Sequence, residues 1–140
     1  MISIKNSTFY GCTSLTSITI PNNITSIESS AFRYCTSLTD IKIGDGVTSI
    51  GSAAFRNCNS LENITIPNSA TSIGSSAFAD CSSLKEIYCK PTTPPTVTSN
   101  TIFNNNASIR KIYVPTESTN VYTSTNYWKD YASDIVGYPF

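Results

Sequence analysis

The chain has 140 residues and a mass of 15.2 kDa, the size of one small domain able to bury a core. Only 13% of it is charged, while Ser and Thr supply roughly three residues in ten, a composition of β-rich, extracellular-type surfaces. Nine Lys and Arg balance nine Asp and Glu, so no basic field draws in nucleic acid, and the absence of His removes His-dependent nucleophile systems and His metal sites.

At the start, Met1-Ile2-Ser3-Ile4-Lys5 lacks the charged and apolar regions of a secretory leader. No later run approaches the ~18 apolar residues of a membrane span, so no membrane insertion is expected. The dominant signal is internal repetition. Phe9, Phe32, Phe55 and Phe78 lie 23 residues apart, as do Cys12, Cys35, Cys58 and Cys81, and Leu15, Leu38, Leu61 and Leu84. The block from Ala31 matches the block from Ala54 at 13 of 23 positions. After Phe78 the period lengthens to 25, giving Phe103 and then Trp128.

Within each unit, apolar residues recur six, nine and eleven positions after the Phe: Leu15/Ile18/Ile20, Leu38/Ile41/Ile43, Leu61/Ile64/Ile66, Leu84/Ile87/Cys89 and Ile109/Ile112/Val114. The I-x-I ending has the period of two that a strand requires. Pro21, Gly44, Pro67 and Pro115 then end it. Short extended segments follow at Ile24, Val47 and Ala70, and one helical turn is expected to bring each next Phe inward. In the fourth unit Pro91, Pro94 and Pro95 displace this segment, and a loop is expected there. A single unit cannot bury enough to fold alone, so the units must stack with parallel, in-register strands.

The pattern L-x-x-I-x-I-P-x-x-V-T-S-I-G-x-x-A-F-x-x-C-x-S resembles the BspA-type leucine-rich repeat of surface proteins from oral and gut anaerobes and some protozoa. The resemblance implies a leucine-rich-repeat solenoid: a right-handed β/α superhelix with a curved parallel sheet, short helical turns and a C-terminal capping unit. The expected organisation is one domain, 1–140, with a partial repeat at 1–8, repeats at 9–31, 32–54, 55–77 and 78–102, and a last repeat with cap at 103–140. Ser3-Ile4 aligns with Ser26-Ile27, so the array opens partway through a unit. This edge is expected either to continue a longer array or to be covered by another copy. At the far end Val121, Tyr122, Tyr127 and Trp128 are expected to cover the last strand with a short helix N-capped by Ser118, and Ile135-Val136 to add an edge strand.

The candidate chemistry is sparse. In-register Cys side chains point the same way, so neither disulfides nor a tetrahedral metal site suits the column, and the thiols read as small apolar residues. Asp40 and Glu86 share a column with Asn63 between them and nothing around them, which argues against a hydrolytic carboxylate pair. Sequons at Asn6, Asn23, Asn63 and Asn106 arise easily in such a composition. No catalytic, cofactor-binding or metal-binding residue is assigned.

The outward sheet face is the functional candidate. It runs from hydroxyls (Thr16, Ser17, Thr19) to charge and two adjacent tyrosines, with Lys85, Glu86 and Tyr88 beside Arg110, Lys111 and Tyr113. Exposed Tyr with Arg is the composition of protein interfaces. Glu62 with Lys85 and Glu86 with Lys111 also read as cross-strand ion pairs that need no partner. The family resemblance implies surface display: adhesion to a host-matrix or cell-surface protein, or cell–cell aggregation. A passive structural spacer or assembly element within a longer array, projecting another domain, and a virus-borne receptor binder are the alternatives; self-association through the uncapped N-terminal edge is a separate expectation.

Overall fold

The computed structural model describes residues 2–140; Met1, which opens the partial repeat and the leader reading, lies outside the described residues. Two rows of short parallel strands run along the array. The outer row holds β2 (Ser17–Ile20), β4 (Asp40–Ile43), β6 (Asn63–Ile66), β8 (Glu86–Cys89) and β10 (Lys111–Pro115), continued by the final strand β11 (Ile135–Tyr138). The second row holds β1 (Ile2–Ile4), β3 (Ile24–Ile27), β5 (Ser49–Ile50), β7 (Ser72–Ile73) and β9 (Thr96–Val97). Registers follow the repeat: Ile18 pairs with Ile41, Ile64 with Ile87, Ile87 with Ile112, and Ser3-Ile4 with Ser26-Ile27.

Two features of the sheets depart from expectation. The outer row is not one continuous ladder, because β4 and β6 lie side by side without pairing. That junction is held instead by β5–β7 pairing and by turn bonds such as Phe32 N–H to the Ala54 carbonyl (2.8 Å). The fourth unit also forms its second short strand, where a loop was expected. Its prolines precede the pairing residues, so Thr96 still donates to Thr71 (2.8 Å) and Val97 takes the place beside Ile73.

The core is a set of columns. Phe9, Phe32, Phe55 and Phe78 stack nearly face on at 5.0, 5.2 and 5.3 Å, and Phe103 continues the pile at 5.8 Å. The Cys column runs beside it, and three of its four thiols donate to the Phe carbonyl of the preceding unit: Cys35 to Phe9 (3.2 Å), Cys58 to Phe32 (3.3 Å) and Cys81 to Phe55 (3.0 Å). In the fifth unit Asn106 replaces the thiol, its amide reaching the Phe78 carbonyl at 2.8 Å. That bond commits the half-buried Asn106 amide to the turn.

The expected helical turn around each Phe is absent. Consecutive hydrogen-bonded turns take its place, because residues on either side of the Phe adopt the left-handed conformation: Ser7, Ser30, Ala53 and Ser76 before it in the first four units, and Gly11, Tyr34, Asn57, Asp80 and Asn105 after it in all five. A left-handed residue interrupts helix propagation. Close unit-to-unit approach is visible at Gly46, where a Cβ would lie 1.9 Å from the Asn22 carbonyl oxygen.

Among the described residues regular helix is confined to the C-terminal end: a 3-10 turn at Thr116–Ser118, helix α1 (Thr119–Ser124) and a 3-10 segment at Trp128–Asp134. Trp128 covers the Phe103 ring at 5.9 Å, and Tyr122 packs edge-on against Trp128. Their polar atoms satisfy buried carbonyls of the proline-rich loop: Trp128 Nε1–H bonds the Pro95 oxygen (2.9 Å) and the Tyr122 hydroxyl bonds Pro91 (2.6 Å). Val121 points away and is exposed. Ser118 occupies the N-cap position without a capping bond, because the preceding turn already holds its backbone right-handed and its side chain is buried.

One core assignment fails. Ile109, expected where Leu84 stands, is 71% exposed. The turn has slipped by one residue: Arg110 N–H bonds Ala107 as Leu84 N–H bonds Cys81, so Arg110 takes the inward place. At the opposite end Phe9, Cys12, Leu15 and Ile18 are only half-buried, whereas Phe32, Cys35, Leu38 and Ile41 are buried. The first unit is therefore an open edge.

Candidate protein-contact face

Strand alternation places Ile87, Cys89, Ile112 and Val114 in the core and sends Tyr88 and Tyr113 outward from adjacent strands. Their register pairing brings the rings to 4.9 Å, nearly parallel. The ring of Tyr138, from β11, meets both edge-on, at 5.5 Å from Tyr88 and 5.4 Å from Tyr113. Phe140 extends the group, 4.8 Å from Tyr138. Four aromatic rings thus form one patch at the C-terminal end of the sheet face, with Tyr88 and Tyr113 half-buried and Tyr138 and Phe140 exposed. Beyond Phe140 the patch opens into a shallow groove of about 360 Å³ lined by Lys90, Thr92, Pro115, Glu117 and Pro139.

Polar groups frame the rings. The Tyr88 hydroxyl donates to the Glu86 carboxylate (2.6 Å); this bond, and then burial, push the Tyr88 pKa up to about 12. Lys85 pairs with Glu62 at 3.0 Å, and that carboxylate raises the ammonium pKa. Both side chains of that pair are well exposed, so it orients the face more than it stabilises the fold. Lys111 and Glu86 are register partners, yet no ion pair joins them among the described residues: Glu86 is committed to Tyr88 and Lys111 is exposed.

Arg110 does not belong to this face. Its guanidinium turns inward and bonds Asp134 (2.6 and 3.2 Å), Asn106 (3.3 Å) and the Phe103 carbonyl, and lies over the Tyr131 ring. Phe103 has no following Cys to serve its carbonyl, and the Arg110 guanidinium supplies that donor. Tyr88, Tyr113, Lys85, Lys111 and Glu86 therefore lie together on or beside two adjacent strands, while Arg110 closes the array from within. Sequence reasoning missed Tyr138 and Phe140. A signal for Tyr138 existed, since it follows Tyr113 by the 25 residues that separate Tyr113 from Tyr88. The register pairs Tyr138 with Pro115, so it reaches back across the strands rather than extending the stack.

Among the described residues no group of His, Cys, Asp or Glu is arranged to hold a metal ion. The five thiols are unbridged. Burial pushes the Cys35 pKa up to about 11 and the Cys89 pKa up to about 12, so these thiols stay protonated, as inert core groups do. No helix among the described residues is long and apolar enough to cross a membrane.

The sequence profile of the BspA type leucine rich repeat region matches residues 2–131 in six copies. No curated protein matches the chain in sequence. Among solved structures it is similar to a leucine rich repeat protein of T. pallidum (30% identity, TM-score 0.73, 82% of this chain and 52% of that one). It is also similar to one from Bacteroides capillosus (32%, 0.59, 64% and 63%). A leucine rich cell surface protein of Faecalibacterium prausnitzii matches over 99% of this chain and 34% of its own length, at 26% identity and TM-score 0.74. The chain thus spans less than two thirds of each of these relatives. Proteins built on such repeats are generally interaction modules. The matched copies and the stacked parallel units together place this chain in the BspA-type leucine-rich repeat family.

Proposed function

We propose that the chain is a non-enzymatic protein-binding module of a cell-surface or secreted protein, recognising a host or neighbouring-cell protein through the outward sheet face. The observation that carries this reading is the outward aromatic cluster of half-buried Tyr88 and Tyr113 with exposed Tyr138 and Phe140, framed by Lys85, Lys111 and Glu86. Large amphipathic rings held rigid by one another lose little entropy on binding and dominate interface energetics. The surface location draws support from the cell-surface relative. The test is surface plasmon resonance of the chain against purified extracellular-matrix and cell-surface proteins, beside a Tyr88→Ser/Tyr113→Ser variant. Saturable binding that falls at least tenfold in the variant, with its circular dichroism spectrum kept, is the expected result. Absence of binding by the parent, or equal affinity in the variant, overturns the reading.

The open first unit favours a second role, as an assembly element on which another repeat unit or a second copy stacks. Ile2 is 51% exposed, and Phe9 and Leu15 are half-covered. An edge of unpaired backbone with apolar side chains is a template for strand addition. Light scattering that reports a strict monomer at high concentration would argue against pairing between copies.

A further inference from the structure

The turn ridge on each side of the Phe column carries a second group of side chains that the sheet face does not use. One and two residues after each Phe, this ridge bears Tyr10-Gly11, Arg33-Tyr34, Arg56-Asn57, Ala79-Asp80 and Asn104-Asn105. Tyr10 is 49% exposed and meets Tyr34 edge-on at 5.5 Å. The Arg33 guanidinium sits 5.0 Å over the Tyr34 ring.

Two observations set this corner apart. The first is conformational. The position after Arg33 is left-handed in every unit, and the other units fill it with Gly11, Asn57, Asp80 and Asn105, the residue types that tolerate it. Tyr34 sits there at φ 63°, where a bulky side chain is strained. An outlier that the fold does not require is a pointer to function. The second is electrostatic. Arg56 bonds Asp80 and Arg110 bonds Asp134, but Arg33 makes no side-chain hydrogen bond or ion pair among the described residues, and its Nε is buried without an acceptor. Asp80, the one carboxylate of the ridge, is already taken by Arg56 and Asn105. A buried donor without an acceptor is costly, and a carboxylate bound side-on would satisfy it as the guanidinium lifts from the Tyr34 ring.

We propose that Tyr10, Arg33 and Tyr34 form a second protein-contact surface, separate from the sheet face, that takes carboxylate side chains from an acidic segment of a partner protein. Arg33 supplies the fork for the carboxylate, and the two tyrosines supply the apolar walls that strengthen it by excluding water.

The test is a titration of the ¹⁵N-labelled chain with acetylated, amidated hexaglutamate, followed by the Arg33 Nε–H and the Gly11 and Tyr34 amide resonances. Hexaglutamine and sodium sulfate serve as parallel titrants, and Arg33→Gln and Tyr34→Asn as variants. Saturable shifts are expected with hexaglutamate alone, weakened at least tenfold by Arg33→Gln and at least threefold by Tyr34→Asn. Tyr34→Asn should also melt no lower than the parent, because Asn suits the left-handed position. Equal affinity in Arg33→Gln, saturation by sulfate at matched charge, or shifts confined to the Tyr88 and Tyr113 face would overturn the proposal. So would a lower melting temperature for Tyr34→Asn. Of these outcomes only a footprint on the Tyr88 and Tyr113 face bears on the sheet-face reading, which it would support.

Discussion

Replacing Arg110 by Ala should lower stability by about 3 kcal/mol. The figure follows from its surroundings. Fully exposed ion pairs contribute about 0.2–1 kcal/mol, and removing one partner of a buried pair costs about 3–5 kcal/mol. Arg110 and Asp134 lie nearer the buried limit, with side chains 16% and 25% exposed. The substitution also strands the Phe103 carbonyl, an acceptor that earlier units satisfy with a thiol or amide. At this chain length the loss corresponds to a fall in Tm of about 10 °C. Ile109→Ala provides the contrast, since an exposed side chain should change stability by less than about 0.5 kcal/mol, whereas a core isoleucine would cost about 2–5 kcal/mol. Urea denaturation of both variants and of Asp134→Asn decides the matter, and a double-mutant cycle isolates the pair. An Arg110→Ala variant as stable as the parent, beside a strongly destabilised Ile109→Ala, would refute the reasoning and return Arg110 to the outer face.

Gly46→Ala should cost about 3 kcal/mol in the same assay, because its Cβ would overlap the backbone of the preceding turn and units one and two would have to part. A near-neutral effect would mean that this turn is looser than its geometry. In alkali, the buried thiols set a sign. The folded state raises Cys35 from its ordinary 9.0 to about 11 and Cys89 to about 12, so it holds their protons more tightly than the unfolded chain does. Their contribution is fully present below pH 9 and is lost as the pH climbs through 11. Urea midpoints under reducing conditions should therefore fall between pH 8.5 and 11, more steeply in the parent than in Cys35→Ala; equal slopes would contradict the account.

The array was legible because its signal is redundant. Spacing, residue identity and strand period all repeat together, and the Phe and Cys columns follow from the 23-residue period alone. What escaped was whatever a change of period hides. With 25 residues in the fourth unit, counting from Phe103 puts Ile109 on the Leu84 position, but the slipped turn exposes it and draws Arg110 inward. Three prolines read as a broken strand, although Thr96-Val97 beyond them kept its pairing. The turns around each Phe read as helical because Ser and Ala tolerate helix, and nothing local announces a left-handed Ser30 or Ala53. At the site, Tyr88 and Tyr113 could be placed from strand parity, whereas Tyr138 depended on a register that only the cap geometry sets.

The claim that the aromatic end of the sheet face is the contact surface is tested most directly by NMR footprinting of the ¹⁵N-labelled chain with a bound surface or matrix protein. Amides of Glu86 to Tyr88, Lys111 to Tyr113 and Val136 to Tyr138 should shift or broaden, while those of Ser17, Thr19 and Lys42 on the hydroxyl-rich end stay in place. A footprint centred on β1 and β2, with the tyrosine strands unperturbed, would contradict it.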